Sequence, residues 1–169
     1  GLTRHYQEYE SYAHIVGYVG PISDKDLESE KPVDPVLQIP KFQIGKVGVE
    51  KKLEKHLRGR AGVSKVEVNA SGRVMRELNR TQGKSGKNIH LTIATDLQKF
   101  ASERLKGMSA SSVLIDINSG DILSLVSTPS YNPNNFVLGI SQSDWSALLN
   151  DERKPLLNKA TSGAYPPGS

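Results

Sequence analysis

Residues 89–134 read IHLTIATDLQKFASERLKGMSASSVLIDINSGDILSLVSTPSYNPN, and the periodicities in this stretch decide the fold class. Ile89, Leu91 and Ile93 alternate with His90, Thr92 and Ala94, the pattern of a half-buried strand. Thr95 and Gln98 have the spacing of a capping box at a helix start. The predicted helix gathers Leu97, Phe100, Ala101 and Leu105 on one face and stops at Gly107. Ser112–Ile117 and Ile122–Ser127 carry large apolar groups on both faces, with Asn118-Ser119-Gly120-Asp121 between them. That pattern predicts a hairpin at the centre of a sheet. Strand, helix and hairpin together predict an α+β sheet domain.

Toward the C-terminus, Pro129–Asn135 reads as a loop, and a capped helix is expected over Ser143–Leu149 with Trp145 as a local core anchor. The tail to Ser169 adds no further strand, so the sheet reads as truncated. Such a sheet should leave apolar surface exposed, which predicts partial disorder of this half or packing against a second copy. Toward the N-terminus, residues 79–87 (NRTQGKSGK) form a basic, Gly-rich connector and the expected domain boundary. Before it, Val66 and Val68 alternate with Lys65 and Glu67, Asn69-Ala70-Ser71-Gly72 turns, and Arg73–Leu78 returns as a hairpin with one wet face. A helix over Val47–Leu57 ends at Gly59, with Leu53 and Leu57 on one face. Residues 23–35 are acidic and Pro-punctuated and read as a mobile loop. His14–Val19 reads as a short strand ended by Gly20-Pro21.

Composition narrows the chemistry. The chain has 169 residues, 36% of them hydrophobic and 24% charged, the balance of a globular protein. Cysteine is absent, which excludes a disulfide scaffold, a Cys-based zinc site and a thiol nucleophile. His5, His14, His56 and His90 share no metal-binding spacing. The net charge of +4 divides as −4 over residues 1–40, +9 over 41–87 and −1 over 88–169. A basic centre raises the alternative of a nucleic-acid-binding module. Phe42 is the only aromatic residue of Phe, Tyr or Trp type in that centre, so stacking platforms are missing. Glu50, Glu54 and Arg58 stand at helical spacing among Lys51, Lys52 and Lys55, which reads as a solvated helix face.

Several phrases resemble one family, the class B penicillin-binding proteins, and within it the elongation-type transpeptidase of rod-shaped bacteria. Residues 45–77, GKVGVEKKLEKHLRGRAGVSKVEVNASGRVMRE, match the family's pedestal segment at Gly45, Gly48, Glu50, Leu57, Gly59, Gly62, Gly72 and Arg73. LTIATDLQ and SVLIDINSGDILSLVSTPSYNPN resemble the start of its transpeptidase domain, and LLNKATSGAYPPGS resembles the stretch leading to the active site. Residues 2–20 look like the elongation-type pedestal, although Gln7 stands where Pro is usual.

The expected architecture is therefore a helix-plus-hairpin pedestal module, part of the dimerisation domain with its linker over residues 1–87. It is joined to the first strands and helices of a truncated transpeptidase α+β sheet domain over 88–169, cut at the catalytic serine. The resemblance implies a parent that cross-links peptidoglycan stem peptides, is acylated by β-lactams, and needs no cofactor or metal. It also implies the periplasmic side of the bacterial inner membrane, with a single-pass anchor outside this chain. Expected partners are a glycan-strand polymerase and a periplasmic scaffold of the elongation machinery, with self-association as a further expectation and nucleic acid excluded. The basic helix at 46–60 is the candidate contact surface.

A serine acyl-transferase needs a hydroxyl beside a base, and the family supplies S-x-x-K on one helical turn, followed later by S-x-N and K-[TS]-G. By family position Ser169 is the acyl nucleophile, and its lysine would be residue 172. No other serine has Lys three positions on, which argues against a self-contained serine hydrolase. Lys84-Ser85-Gly86 and Ser130-Tyr131-Asn132 spell the later motifs but precede the nucleophile, so they are chance tripeptides. His56 and His90 lack a carboxylate or nucleophile at useful spacing, and Asp116 reads as a hydrogen-bonded turn residue.

Overall fold

The computed structural model describes residues 3–7, 9–28 and 33–164. Three two-stranded antiparallel sheets and seven short helices make an α+β fold among them. The chain opens with helix α1 (Tyr9–Val16), where the sequence predicts the beginning of a strand. Only Val19–Pro21 is extended (β1), and it pairs with β2 (Gln43–Gly45). HIVGYV is an apolar run that either period can use, and long-range packing chose the helix. Gly17 closes α1 at φ +77, its N–H returning to the Ala13 carbonyl at 2.9 Å. A Cβ at Gly17 would lie 2.0 Å from the Val47 carbonyl oxygen, so only glycine fits the approach of the next module.

The described residues of the acidic stretch, 23–28 and 33–35, are more ordered than its composition suggests, and 29–32 lie outside the described residues. Helix α2 (Asp24–Glu28) is opened by Ser23, whose backbone N–H and hydroxyl both donate to the Asp26 carboxylate. A 3₁₀ turn over Pro35–Gln38 follows, where Asp34 accepts from the Val36 N–H. The predicted helix over 47–57 is present as α3 (Gly48–Lys52) and α4 (Glu54–Leu57), interrupted at Leu53 and stopped by Gly59 at φ +74.

β3 (Val63–Val68) and β4 (Val74–Thr81) form the expected hairpin with two register shifts, but every residue of both strands is exposed. The expectation of one buried face is thereby corrected. The Gly-rich connector is tied down at several points. Arg60 and Lys84 exchange backbone hydrogen bonds, the Lys87 N–H reaches the His56 carbonyl, and a Cβ on Gly86 would meet the Leu57 carbonyl oxygen at 1.8 Å.

Residues 89–93 form no strand. They run beside the later hairpin, held by Thr92 Oγ1 on the Ile122 carbonyl (2.7 Å) and the Ala94 N–H on the Leu123 carbonyl (2.8 Å). Helix α5 (Thr95–Arg104) begins and ends where the sequence places it, with Gly107 at φ +84 beyond it. Thr95 does not cap it, and Phe100 on its predicted apolar face is 64% exposed.

The hairpin of β5 (Ala110–Ile115) and β6 (Ile122–Thr128) is present, and Asp116 is the turn residue predicted, accepting from the N–H groups of Asn118 and Ser119. β6 is largely buried, whereas β5 exposes Val113, Leu114 and Ile115. Helix α6 (Gln142–Asn150) is capped by Ser141, and α7 (Lys159–Ser162) by Asn158. Among the described residues, two core clusters join the two halves of the chain. One unites Tyr6 and Val19 with Val137, and the other unites Ala13 with Tyr131 and Phe136, against which Tyr18, Trp145 and Leu156 pack.

Candidate functional site

The seam between α1 and the segment 98–159 concentrates the buried polar groups. Side chains of the second half reach backbone groups of the first. Gln98, fully buried, donates to the Ser11 carbonyl (2.6 Å) and the Leu125 carbonyl (2.8 Å), and its oxygen accepts from Ser124 Oγ (3.0 Å) and the Leu125 N–H (2.8 Å). The capping role predicted for Gln98 is thus replaced by a cross-link between α1, α5 and β6. Asn134 exchanges two hydrogen bonds with the Tyr6 backbone, accepting at 2.8 Å and donating at 3.1 Å, as a strand partner would. The Tyr131 hydroxyl donates to the Ala13 carbonyl (3.2 Å), and Asn158 Nδ2 donates to the His14 carbonyl (3.3 Å).

Aromatic rings fill the space between these bonds. Tyr18 stacks on Phe136 with centroids 4.1 Å apart, while His14 and Tyr18 meet Tyr131 edge-on. Trp145 meets Phe136 edge-on at 6.3 Å, in keeping with its predicted anchoring role. Tyr6 closes the other end: its hydroxyl accepts from the Val19 N–H (2.8 Å) and donates to Glu50 (3.4 Å), which Arg4 pairs at 2.9 Å. Burial and the Glu50 charge hold the Tyr6 phenol in its neutral form well above the usual range. Burial does the same for Tyr131.

Glu50 and Glu54 correct a sequence expectation. Both are buried, at 6% and 9% exposure, and the basic helix turns them inward. Glu54 pairs with Arg58 (3.1 Å), which also reaches Asp34 (3.2 Å). The solvated face belongs to Lys51, Lys52 and Lys55. Helical spacing identifies a shared face without saying which way it points. Elsewhere in this half, burial works to raise the Asp26 carboxyl, but hydrogen bonds from Lys46 and Ser23 outweigh it and hold it at about 2.

His14 is the imidazole inside the seam. Burial, reinforced by the Lys159 charge, lowers its imidazole from 6.5 to about 4, with the backbone at Pro155 and Pro129 opposing in part. The folded protein therefore binds this proton less readily than the unfolded chain. Stability from His14 is complete above pH 6.5 and falls as the pH drops toward 4, by up to roughly 3 kcal/mol. His14→Phe, which keeps the ring edge against Tyr131 and cannot titrate, should flatten that decline. The separate loss near pH 2–4 from carboxylates such as Asp26 should remain. Urea midpoints from pH 4 to 8 test this, and an unchanged slope in His14→Phe would rule out His14 as its source.

The motif residues are scattered. Ser169 lies outside the described residues. Ser85 sits beside the Arg60–Lys84 bridge, and His56 and His90 are exposed. Ser130 Oγ is buried without a hydrogen-bond partner, on the wall of a cleft of about 790 Å³ between α1 and α5. No cluster of His, Asp and Glu fit to hold a metal occurs among the described residues, and no helix there is long and apolar enough to cross a membrane. The seam joins the two halves of the chain through side-chain-to-backbone hydrogen bonds and packed aromatic rings. The cross-linking roles of Gln98, Asn134 and Asn158 were not legible in sequence, because amides have no periodic signature and these partners are backbone groups distant in the chain.

The arrangement of these two joined bodies matches known families. Residues 1–91 match the penicillin-binding protein dimerisation domain, and residues 110–169 match the penicillin-binding protein transpeptidase domain. The chain belongs to the penicillin-binding proteins. It is 45% identical over 169 residues to the peptidoglycan D,D-transpeptidase MrdA of Haemophilus influenzae, covering 99% of this chain and 26% of that protein. To MrdA of Escherichia coli K12 it is 44% identical over 171 residues, covering 100% of this chain and 27% of the relative. The PBP2 of Pseudomonas aeruginosa, solved with WCK 5153, superposes with a TM-score of 0.80 at 37% identity, over 99% of this chain and 32% of that one. The PBP2 of Helicobacter pylori, solved in complex with MreC, also gives 0.80, at 31% identity, over 93% and 28%. This penicillin-binding protein chain thus spans about a quarter of the length of its curated relatives.

Proposed function

We propose that this chain is the pedestal and the first part of the catalytic domain of a peptidoglycan D,D-transpeptidase acting in cell elongation, and that its own role is positioning and interaction. The observation that carries this reading is the seam itself. Amide and aromatic side chains of the transpeptidase-like half are bonded directly to backbone groups of Tyr6 and α1, which supports a pedestal that holds the catalytic half in one orientation. The division proposed is residues 1–87 as pedestal with linker and 88–169 as the beginning of the transpeptidase domain.

In the whole protein, Ser169 would be the acyl nucleophile, its hydroxyl deprotonated by a lysine at position 172. Attack on the penultimate D-alanine carbonyl of a stem peptide would expel the terminal D-alanine and leave an acyl-serine. The amine of a second stem peptide would then take the acyl group. A β-lactam would acylate the same serine and stay. The setting proposed is the periplasmic side of the inner membrane. Partners would be a glycan-strand polymerase and a scaffold of the kind that the Helicobacter pylori PBP2 binds in its complex with MreC.

Intact-mass measurement with benzylpenicillin tests this. The 169-residue chain should show no adduct, because the lysine at position 172 is not part of it. The full-length protein should gain one penicilloyl group, lost in Ser169→Ala. An adduct on the 169-residue chain would overturn the assignment of the chemistry, and none on the full-length protein would overturn the transpeptidase reading.

A further inference from the structure

The hairpin of β3 and β4 stands apart from the core. Every residue of both strands is exposed, and none belongs to a core cluster of the described residues. Its apolar side chains are nevertheless large: Val63, Val66, Val68, Val74, Met75 and Leu78 are between 41% and 64% exposed. Residues directly opposite in an antiparallel pair share a face, as do alternate residues along one strand. Val66, Val68 and Val74 therefore lie on one face near the turn, Val74 opposite Val68. Glu77 stands opposite Val66 on that face, and Arg80 opposite Ser64 farther from the turn. The other face carries Lys65 and the Glu67–Arg76 ion pair. Arg73 adjoins the turn, its N–H on the Asn69 side chain at 2.9 Å. Among the described residues Lys65, Arg73 and Arg80 have no carboxylate partner. Residues 60–87 carry seven basic and two acidic side chains, a balance of +5.

An element that is apolar near its tip and cationic around it complements a surface whose negative headgroups cover a hydrocarbon layer. We propose that this hairpin docks on an anionic phospholipid bilayer, with Val66, Val68, Val74 and Met75 entering the headgroup layer and Lys65, Arg73 and Arg80 meeting lipid phosphates. Two other occupants fit less well. A second copy would bring like charges together along the strand edges. A nucleic acid would find cations but no stacking platform, since Phe42 is the only Phe, Tyr or Trp in residues 41–87, and it would leave the valines in water. Contact of this kind is interfacial and needs no spanning helix. It also requires nothing of the acyl-transfer chemistry, so its outcome and that of the penicillin experiment are independent.

The decisive experiment is co-sedimentation of the 169-residue chain with lipid vesicles. Vesicles of phosphatidylethanolamine and phosphatidylglycerol should bind it more tightly than vesicles of phosphatidylcholine, and the difference should shrink as salt is raised. Arg73→Gln combined with Arg80→Gln should weaken binding about 25-fold, at about fivefold for each cation near the surface. Val68→Ser combined with Val74→Ser should weaken it about tenfold, by removing apolar area near the tip. Melting temperatures should stay close to the parent's, because all four positions are exposed. Equal binding to both kinds of vesicle, or none to either at low salt, would overturn the proposal. So would a loss in one variant only. A loss with the arginines alone marks a site for any polyanion, which heparin would fill as well, and a loss with the valines alone marks an apolar site. Binding that both variants leave unchanged would place the contact elsewhere, as on the exposed apolar side chains of β5, and would overturn it too. Valine-dependent dimerisation in place of vesicle binding would assign the hairpin to a second copy instead.

Discussion

Gln98→Leu is expected to destabilise the protein by about 3–4 kcal/mol, although leucine fits a helix at least as well as glutamine. Gln98 is fully buried, and its amide makes four hydrogen bonds that join α1, α5 and β6. Truncating it to an apolar group leaves the Leu125 N–H and the Ser124 hydroxyl facing a methyl group, and each buried group without a partner costs about 1–3 kcal/mol. Gln98→Glu keeps the acceptor and exchanges the donor for a carboxylate aimed at two carbonyls, so it should cost at least as much at neutral pH. Urea unfolding at pH 7 measures both, read from the midpoint with the slope checked for constancy. A cost below 1 kcal/mol for Gln98→Leu would mean that the seam is held by its aromatic rings alone.

Arg58→Met should have an effect of similar size, about 3–5 kcal/mol. The Arg58 side chain is 6% exposed and holds two carboxylates, Glu54 within its own helix and Asp34 from the 3₁₀ turn. The methionine replaces the stem and leaves a buried carboxylate without its cation, which is the expensive half of breaking a buried pair. Arg58→Lys should recover only part of the loss, because one ammonium cannot fork to two carboxylates as a guanidinium does. Thermal unfolding of the three proteins gives the order parent, lysine, methionine. A methionine variant as stable as the parent would show the pair to be replaceable by packing.

Each of these residues was visible in the sequence in a different role. Gln98 stood at the third position of a capping box, and Arg58 stood among charges taken for a solvated face. Local spacing placed both on helices correctly. It could not say what lay opposite, and in each case the partner is far along the chain: Ser11 and Leu125 for Gln98, Asp34 for Arg58. The same limit explains α1, where an apolar run bounded by glycine fits helix or strand until Tyr131 and Phe136 are packed against Ala13.

The sequence alone determined what depends on neighbours along the chain. The two hairpins, the helices at 95–104 and 142–150, the stops at Gly59 and Gly107 and the Asp116 turn follow from period, turn chemistry and the left-handed backbone that glycine tolerates. The family was legible too, because its phrases are contiguous. Tertiary structure alone decided which polar groups are inside and what they hold together. A buried amide or carboxylate is stable only when its partners arrive from other elements, and those arrivals leave no mark on local spacing. The joint between the two halves of the chain, built from Tyr6, Gln98, Tyr131, Asn134 and Asn158, is of that kind.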